Sequence, residues 1–391
     1  MMRRLAAGAI CLLVAAAGAC RRPPQLGDPL PGLSTAERAR FDRGRAIFDS
    51  VFTPATGLGP LFNANGCIEC HEDPVRGGTG DEVERHASAF HPGVTGGGGA
   101  RPCDELATLG GPVYQNHVTP ALQTALGIDS EPVPPEATAI AHRTTPDIFG
   151  FGLLDAVPDS EILAYADPDD RDRDGISGRP NRFFDGRLGR FGRKALVPAL
   201  REFNEGALAA EQGITTPAVP TEETVAGRPL PAGVDPAPDP ELSDSAVALL
   251  DAFVRLLAPP SPLRLSREAR QGRDAFGRVG CDRCHVPVLR TGDSPIPALS
   301  HRDVAAYTDL LLHDMGPELA DICLGLATPS EFRTEPLMGV HRMARFLHDG
   351  RATTLEQAIE LHNGEAARAR DRFRALSAED RAALVAFLKT L

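Results

Sequence analysis

Four stretches of the chain place apolar residues at helical spacing. In Leu376–Leu391, Leu384, Phe387, Leu388 and Leu391 fall at i, i+3, i+4 and i+7, which predicts an amphipathic helix with one buried stripe. Leu242–Ala258 repeats that period. The other two stretches, Ser34–Asp49 and Ser266–Arg278, each open on a serine suited to cap a helix and each carry Gly-Arg-x-x-Phe on a helical period. The pattern is a repeat: opening helix, middle region, closing helix, twice over. Pro259–Pro262 reads Pro-Pro-Ser-Pro, which cannot continue a helix, and marks the join.

The first residues follow a different pattern. Two arginines in Met1–Arg4 precede Leu5–Ala19, an unbroken apolar run that includes Cys11. It is shorter than the ~20 residues a membrane-spanning helix takes, and it fits an export signal. Small residues then lead to Cys20 and polar Arg-Arg-Pro-Pro. This resembles a bacterial lipoprotein signal with Cys20 as the lipidated residue, although Ala17 replaces the usual Leu; ordinary cleavage is the alternative. The expected organisation is a signal over 1–20, a linker over 21–33, a first unit over 34–259 and a second over 263–391. The expected location is the periplasm, on the outer membrane if Cys20 is lipidated.

Glycine (39) and proline (35) are abundant, so loops should be many. They concentrate in the first unit's long middle region. Thr95–Ala100 is glycine-rich but lacks the Gly-Lys-Ser/Thr of a phosphate loop, and reads as a surface loop. Thr215–Glu241 reads as a second, low-complexity loop. A net charge of −12 with no Lys/Arg block argues against nucleic acid.

The eight cysteines divide cleanly. Cys11 and Cys20 belong to the signal. Cys67 and Cys70 stand in Cys-Ile-Glu-Cys-His, and Cys281 and Cys284 in Cys-Asp-Arg-Cys-His. Cys103 and Cys323 are left over. In an exported chain they suggest a disulfide; two unpaired buried thiols are the alternative. C-x-x-C-H is the attachment signature of c-type haem. Two thiols add to the two haem vinyl groups, and the next histidine, His71 or His285, is placed to bind the iron. A structural zinc site wants four ligands in paired short spacings, yet here the pairs are 214 residues apart and each has its own histidine. No thioredoxin-like pattern surrounds either pair. The reading is two covalent c-type haems. The expected fold class is mainly α, two cytochrome c-like domains in tandem, the first with long Gly/Pro-rich insertions.

Asp170, Asp172 and Asp174 alternate ahead of Gly175, the first half of a calcium-loop pattern, with Asn181 at position 12 where a bidentate Glu would stand. The alternative is a solvated acidic turn.

Several stretches together carry a family resemblance: Gly59–His71, Arg143–Ile162, Asp167–Asn181, Gly189–Phe203, Tyr307–Asp321 and Glu331–Ala366. The chain resembles the bacterial di-haem oxidoreductases, also called thiol oxidoreductases, which are related to the di-haem cytochrome c peroxidases. The resemblance implies an enzyme that reduces hydrogen peroxide at the N-terminal haem. Electrons would arrive through the C-terminal haem from a donor protein or a quinol-linked chain. In the related peroxidases a distal Met lies 14 residues after the His of an His-Asp-Gly turn; counting from His348 gives His362, so a His285/His362 pair is expected. Met315, Met338 and Met343 are the alternatives. In those relatives a loop histidine shortly after the first motif can bind and leave the N-terminal iron, which makes His86 a candidate. An acidic residue is expected near Asp155, a candidate to move the peroxide proton. The relatives also use a calcium ion, with different ligands. Two other readings stay open: a non-catalytic di-haem electron carrier, and an oxidoreductase acting on another small molecule such as a thiol.

Overall fold

A computed structural model describes residues 23–93 and 102–391. Cys11, Cys20 and the loop Thr95–Ala100 lie outside the described residues. The helices are α1 (Thr35–Phe48), α2 (Cys67–Cys70), α3 (Pro120–Leu126), α4 (Phe151–Asp155), α5 (Asp159–Leu163), α6 (Leu200–Gln212), α7 (Asp244–Leu256), α8 (Arg267–Val279), α9 (Leu355–Leu361), α10 (Ala367–Ala375) and α11 (Ala378–Leu388). The strands are β1 (Leu61–Phe62), β2 (Val83–Phe90), β3 (Cys103–Asp104), β4 (Val113–Tyr114), β5 (His117–Val118), β6 (Ala139–Thr144), β7 (Leu289–Arg290), β8 (Asp303–Val304), β9 (Leu312–Asp314) and β10 (Glu331–Arg333). Among the described residues no helix is long and apolar enough to cross a membrane.

All four periodic stretches are helical, and serines cap them. Ser34 forms a capping box with Glu37 at the start of α1, while Ser243, Ser266 and Ser377 accept a backbone N–H at the starts of α7, α8 and α11. The repeated Gly-Arg-x-x-Phe has a packing reason. A Cβ on Gly44 would stand 1.9 Å from the Leu249 carbonyl oxygen of α7, and one on Gly272 1.8 Å from the Ala383 oxygen of α11. Each glycine is where an opening helix touches the backbone of its closing helix. Four residues on, Phe48 meets Phe253 (centroids 4.8 Å apart) and Phe276 meets Phe387 (5.5 Å). Around these contacts sit two separate cores, one with Phe41, Phe48, Leu250 and Phe253, the other with Phe276, Phe373, Leu384 and Phe387.

The structure is less purely helical than expected. The first middle region builds a small antiparallel sheet in which β2 pairs with β3, β4 and β6. In β2 alternate residues turn to opposite faces, so Glu84, His86 and Ser88 share one side. The loop Thr215–Glu241 is packed rather than free: Val234 joins a small core with Leu61 and Leu122, and Thr216 is fully buried. Cys103 and Cys323 form a disulfide, joining β3 to the second half of the chain.

Candidate haem centres

The four motif cysteines are unpaired, although the structure does bridge Cys103 to Cys323. Burial pushes the Cys67 and Cys281 thiols up to about 12 and raises Cys70 and Cys284 as well. Such protonated thiols are poor redox nucleophiles. The histidine after each pair is held alike. His71 Nδ1 lies 3.0 Å from the Gly78 carbonyl oxygen, and His285 Nδ1 lies 3.0 Å from that of Tyr307. A carbonyl can only accept, so Nδ1 carries the proton and Nε2 is left as the lone-pair nitrogen that a metal takes.

Beside Cys281, Cys284 and His285 lies a cavity of about 310 Å³, walled by Phe276 and Val279 of α8, Leu355 and Ile359 of α9, and Leu384 and Leu388 of α11. An apolar slot with two thiols and one imidazole on its wall fits a flat, covalently tethered haem. His362, at the end of α9, lines the same cavity, and its Nδ1 is 2.7 Å from the Ala358 carbonyl oxygen. Burial and, after it, the charge of His362 together lower His285 to about 4, and both imidazoles line this cavity. Met315 and Met343 also line this cavity.

At the first motif, His71 sits beside Phe48, with ring centroids 6.2 Å apart. His86 is buried on β2, but its Nε2 is 2.9 Å from Glu84, so that nitrogen is occupied. His91, His117 and His142 are exposed. Carboxylates surround the first motif instead. Glu211 and Glu84 both act on Cys70, and Glu84 acts on His71. Burial, the Glu84 charge and despite them an Asn63 hydrogen bond (2.7 Å) set Glu211, whose carboxyl is held well above the usual range. Burial opposes ionisation of Glu84 too, yet the His86 bond and the nearby Arg143 charge hold it below that range. The two half-buried carboxyls are thus pushed in opposite directions, Glu211 toward the protonated form and Glu84 toward the charged one. Sequence reading missed both. Their signal was faint: Glu84 precedes His86 by two residues, hence one strand face, while Glu211 arrives from α6.

Asp155 is spent elsewhere. Its Oδ1 accepts the Leu200 N–H (2.8 Å) at the start of α6, and its Oδ2 pairs with Arg255. This is the capping role of a short polar side chain. Asp170, Asp172 and Asp174 do converge, with one oxygen of each within 4.8 Å of the others. Asn181 does not join them: it is fully buried, donating to the Lys194 and Leu324 carbonyls and accepting from the Arg182 and Leu326 N–H groups. A single amide already making those four bonds has nothing left for an ion. The acidic loop instead docks on the second half. Arg368 donates to the Asp174 carbonyl (2.7 Å), and Glu365 accepts from the Ser177 N–H (3.0 Å) while contacting His313 Nδ1 (2.8 Å). His313 in turn reaches Asp309 through Nε2 (2.8 Å) and stands 3.6 Å from the Cys284 sulfur.

No curated protein matches the chain by sequence. Among solved structures it is similar to hydrazine synthase of Kuenenia stuttgartiensis under xenon pressure (14% identity, both chains covered in full, TM-score 0.39). It is similar to a variant of the diheme peroxidase BthA from Burkholderia thailandensis (15% identity, 90% of this chain and 85% of the other, TM-score 0.41). A MauG-like protein associated with microbial copper homeostasis covers less (21% identity, 38% of this chain and 52% of the other, TM-score 0.27). A family model described as "Di-haem oxidoreductase, putative peroxidase" matches residues 135–391, beginning after the first motif and including the second. The chain belongs to this di-haem oxidoreductase family.

Proposed function

We propose that the chain is an exported di-haem c-type peroxidase built from two cytochrome c-like units, reducing hydrogen peroxide at the His71 site with electrons received through the His285 site. The observation that carries this reading is the contrast between the two sites. His285 shares its cavity with a second imidazole, His362, whereas half-buried carboxyls lie near the first motif, Glu84 near His71 and Glu211 near Cys70. A centre with two imidazoles relays electrons; a centre with an open side and an acid beside it can do chemistry.

Haem held by Cys67, Cys70 and His71 and by Cys281, Cys284 and His285 would supply the redox chemistry for electron relay and for reduction of peroxide. The chain's own residues do the rest. Gly78 and Tyr307 carbonyls fix the two proximal rings. Each peroxide needs two electrons and two protons to become two waters. On this reading Glu211, kept protonated by its surroundings, would give a proton and Glu84, hydrogen-bonded to His86, would receive and return one. Cys20 as a lipid anchor in the periplasm, an electron-donor protein as partner, and calcium at Asp170, Asp172 and Asp174 belong to the same reading.

Optical and EPR spectra of the haem-loaded protein, oxidised and then half-reduced, test it. An open, high-spin centre in either state, with peroxide turnover falling ~10²-fold in Glu211→Gln, is the expected result. Two low-spin haems in every state, inert to peroxide and cyanide, would mean an electron carrier.

A further inference from the structure

We propose that the cavity rim between α8 and α10 is a docking surface for an acidic electron-carrier protein. The inference rests on reading this cavity as the electron-entry haem site. Charge is unevenly distributed along the chain. Residues 263–391 carry 18 basic and 18 acidic side chains, so the whole surplus of −12 lies in residues 1–262. Yet three of those 18 acids are met inside. Asp321 is met by Arg143 and Lys194, and Glu331 by Arg179, all cations of the first half. Asp309 is met by His313. The arginines left outside are therefore in excess.

They gather at one place. Arg283, Arg368 and Arg372 line the cavity and are exposed. Arg372 bonds only the Val279 carbonyl (3.4 Å) and Arg368 the Asp174 carbonyl (2.7 Å), and neither has a carboxylate partner among the described residues. Arg283 pairs with Asp174 at 3.8 Å, so the acidic loop with Asp170 and Asp172 borders the rim on that side. Rim carboxylates are turned to partners of their own: Glu365 to Ser177 and His313, and Asp174 Oδ1 to the Ile176 N–H. Asp282, next to Cys281, is the opposing charge nearest the motif.

These arginines are not placed for haem propionates. Vinyl and propionate groups lie on opposite edges of the porphyrin, and the thiols mark the vinyl edge. Arg283 lies between Cys281 and Cys284 in sequence, and Arg372 Nη1 is 3.2 Å from where a Cβ on Gly280 would stand. A positive collar at the edge where electrons would enter favours a negatively charged partner and repels a basic one.

Inorganic probes of opposite charge test the surface on the fully reduced holoprotein, with both haem phases followed by stopped flow. Ferricyanide and a cationic cobalt tris-phenanthroline complex are the oxidants. Raising salt from ~0.01 M to ~1 M shrinks the screening length from ~30 to ~3 Å, and is expected to slow ferricyanide roughly tenfold in one phase while quickening the cobalt complex. Arg368→Glu with Arg372→Glu should reverse both trends in that phase, and the Gln pair should flatten them, with haem absorbance unchanged. An acidic c-type cytochrome should then exchange electrons faster than a basic one at low salt. Rates indifferent to salt and to the substitutions, or a cationic probe already faster at low salt, would overturn the proposal. Peroxide plays no part in this readout, so loss of the peroxidase reading and loss of the docking surface are separately visible.

Discussion

A histidine that ligates iron presents one nitrogen and ties down the other. His71, His285 and His362 each do so, with Nδ1 at 2.7–3.0 Å from a carbonyl oxygen of the chain. The role proposed for His362 rests on this and on the cavity it shares with His285. His362→Gly should convert the C-terminal haem to high spin, while His362→Met should keep it low-spin and raise its potential, since thioether ligation favours the reduced iron. EPR and a redox titration read both outcomes, and unchanged spectra would hand the position to Met315 or Met343. A second residue argument concerns Glu365. Burial works against its charge, but bonds to His313 and Ser177 hold it down to about 2. A carboxylate depressed in the folded state adds stability that is full above its unfolded pKa and is lost as pH falls through the folded value. Between about pH 4.5 and 2, wild type should therefore lose more stability than Glu365→Gln, as read from urea midpoints across that range.

At the scale of elements, the two helix crossings carry the argument. Gly44 and Gly272 let α1 and α8 lie directly on the α7 and α11 backbones. Adding one methyl group there forces the helices apart, at a cost of about 1–3 kcal/mol each for Gly44→Ala and Gly272→Ala. Thermal denaturation of each variant checks this; a stable Gly272→Ala would mean that α8 and α11 can slide. These elements were legible in the sequence because helical period, serine caps and a repeated Gly-Arg-x-x-Phe are local signals. The haem motifs were legible for the same reason. The sheet around β2 was not, because its strands are short and pair across long loops. Nor was the carboxyl near Cys70 legible: Glu211 is anchored by Asn63, 148 residues away in sequence, and only the fold brings them together. Asp155 was a candidate from the family resemblance, and its side chain instead bonds the first turn of α6 and Arg255.

At the scale of the molecule, the halves are joined by a covalent tie and a buried charge network lying side by side. Cys323 carries the disulfide, and two residues before it Asp321 receives Arg143 Nε and Nη2 at 2.8 and 2.7 Å, with Lys194 Nζ 2.8 Å from its other oxygen. Lys194 also sits 3.6 Å from the centre of the Phe332 ring. The disulfide limits how far the unfolded halves can separate, but it does not neutralise the two buried cations; Asp321 bonds both of them directly. Asp321→Asn should cost about 3–5 kcal/mol even with the disulfide intact, because it strands two cations in the interior. The loss should depend on pH in a stated direction. Burial lowers Lys194 to about 7, against the pull of Asp321, so without that carboxylate its folded pKa drops further still. A lysine depressed in the folded state resists protonation there but not in the unfolded chain, so stability rises with pH between the two values. The deficit of Asp321→Asn should shrink from pH 6 to pH 9 in urea melts of the oxidised holoprotein. A deficit that is constant across that range would place its origin in Arg143 alone, whose charge no accessible pH removes.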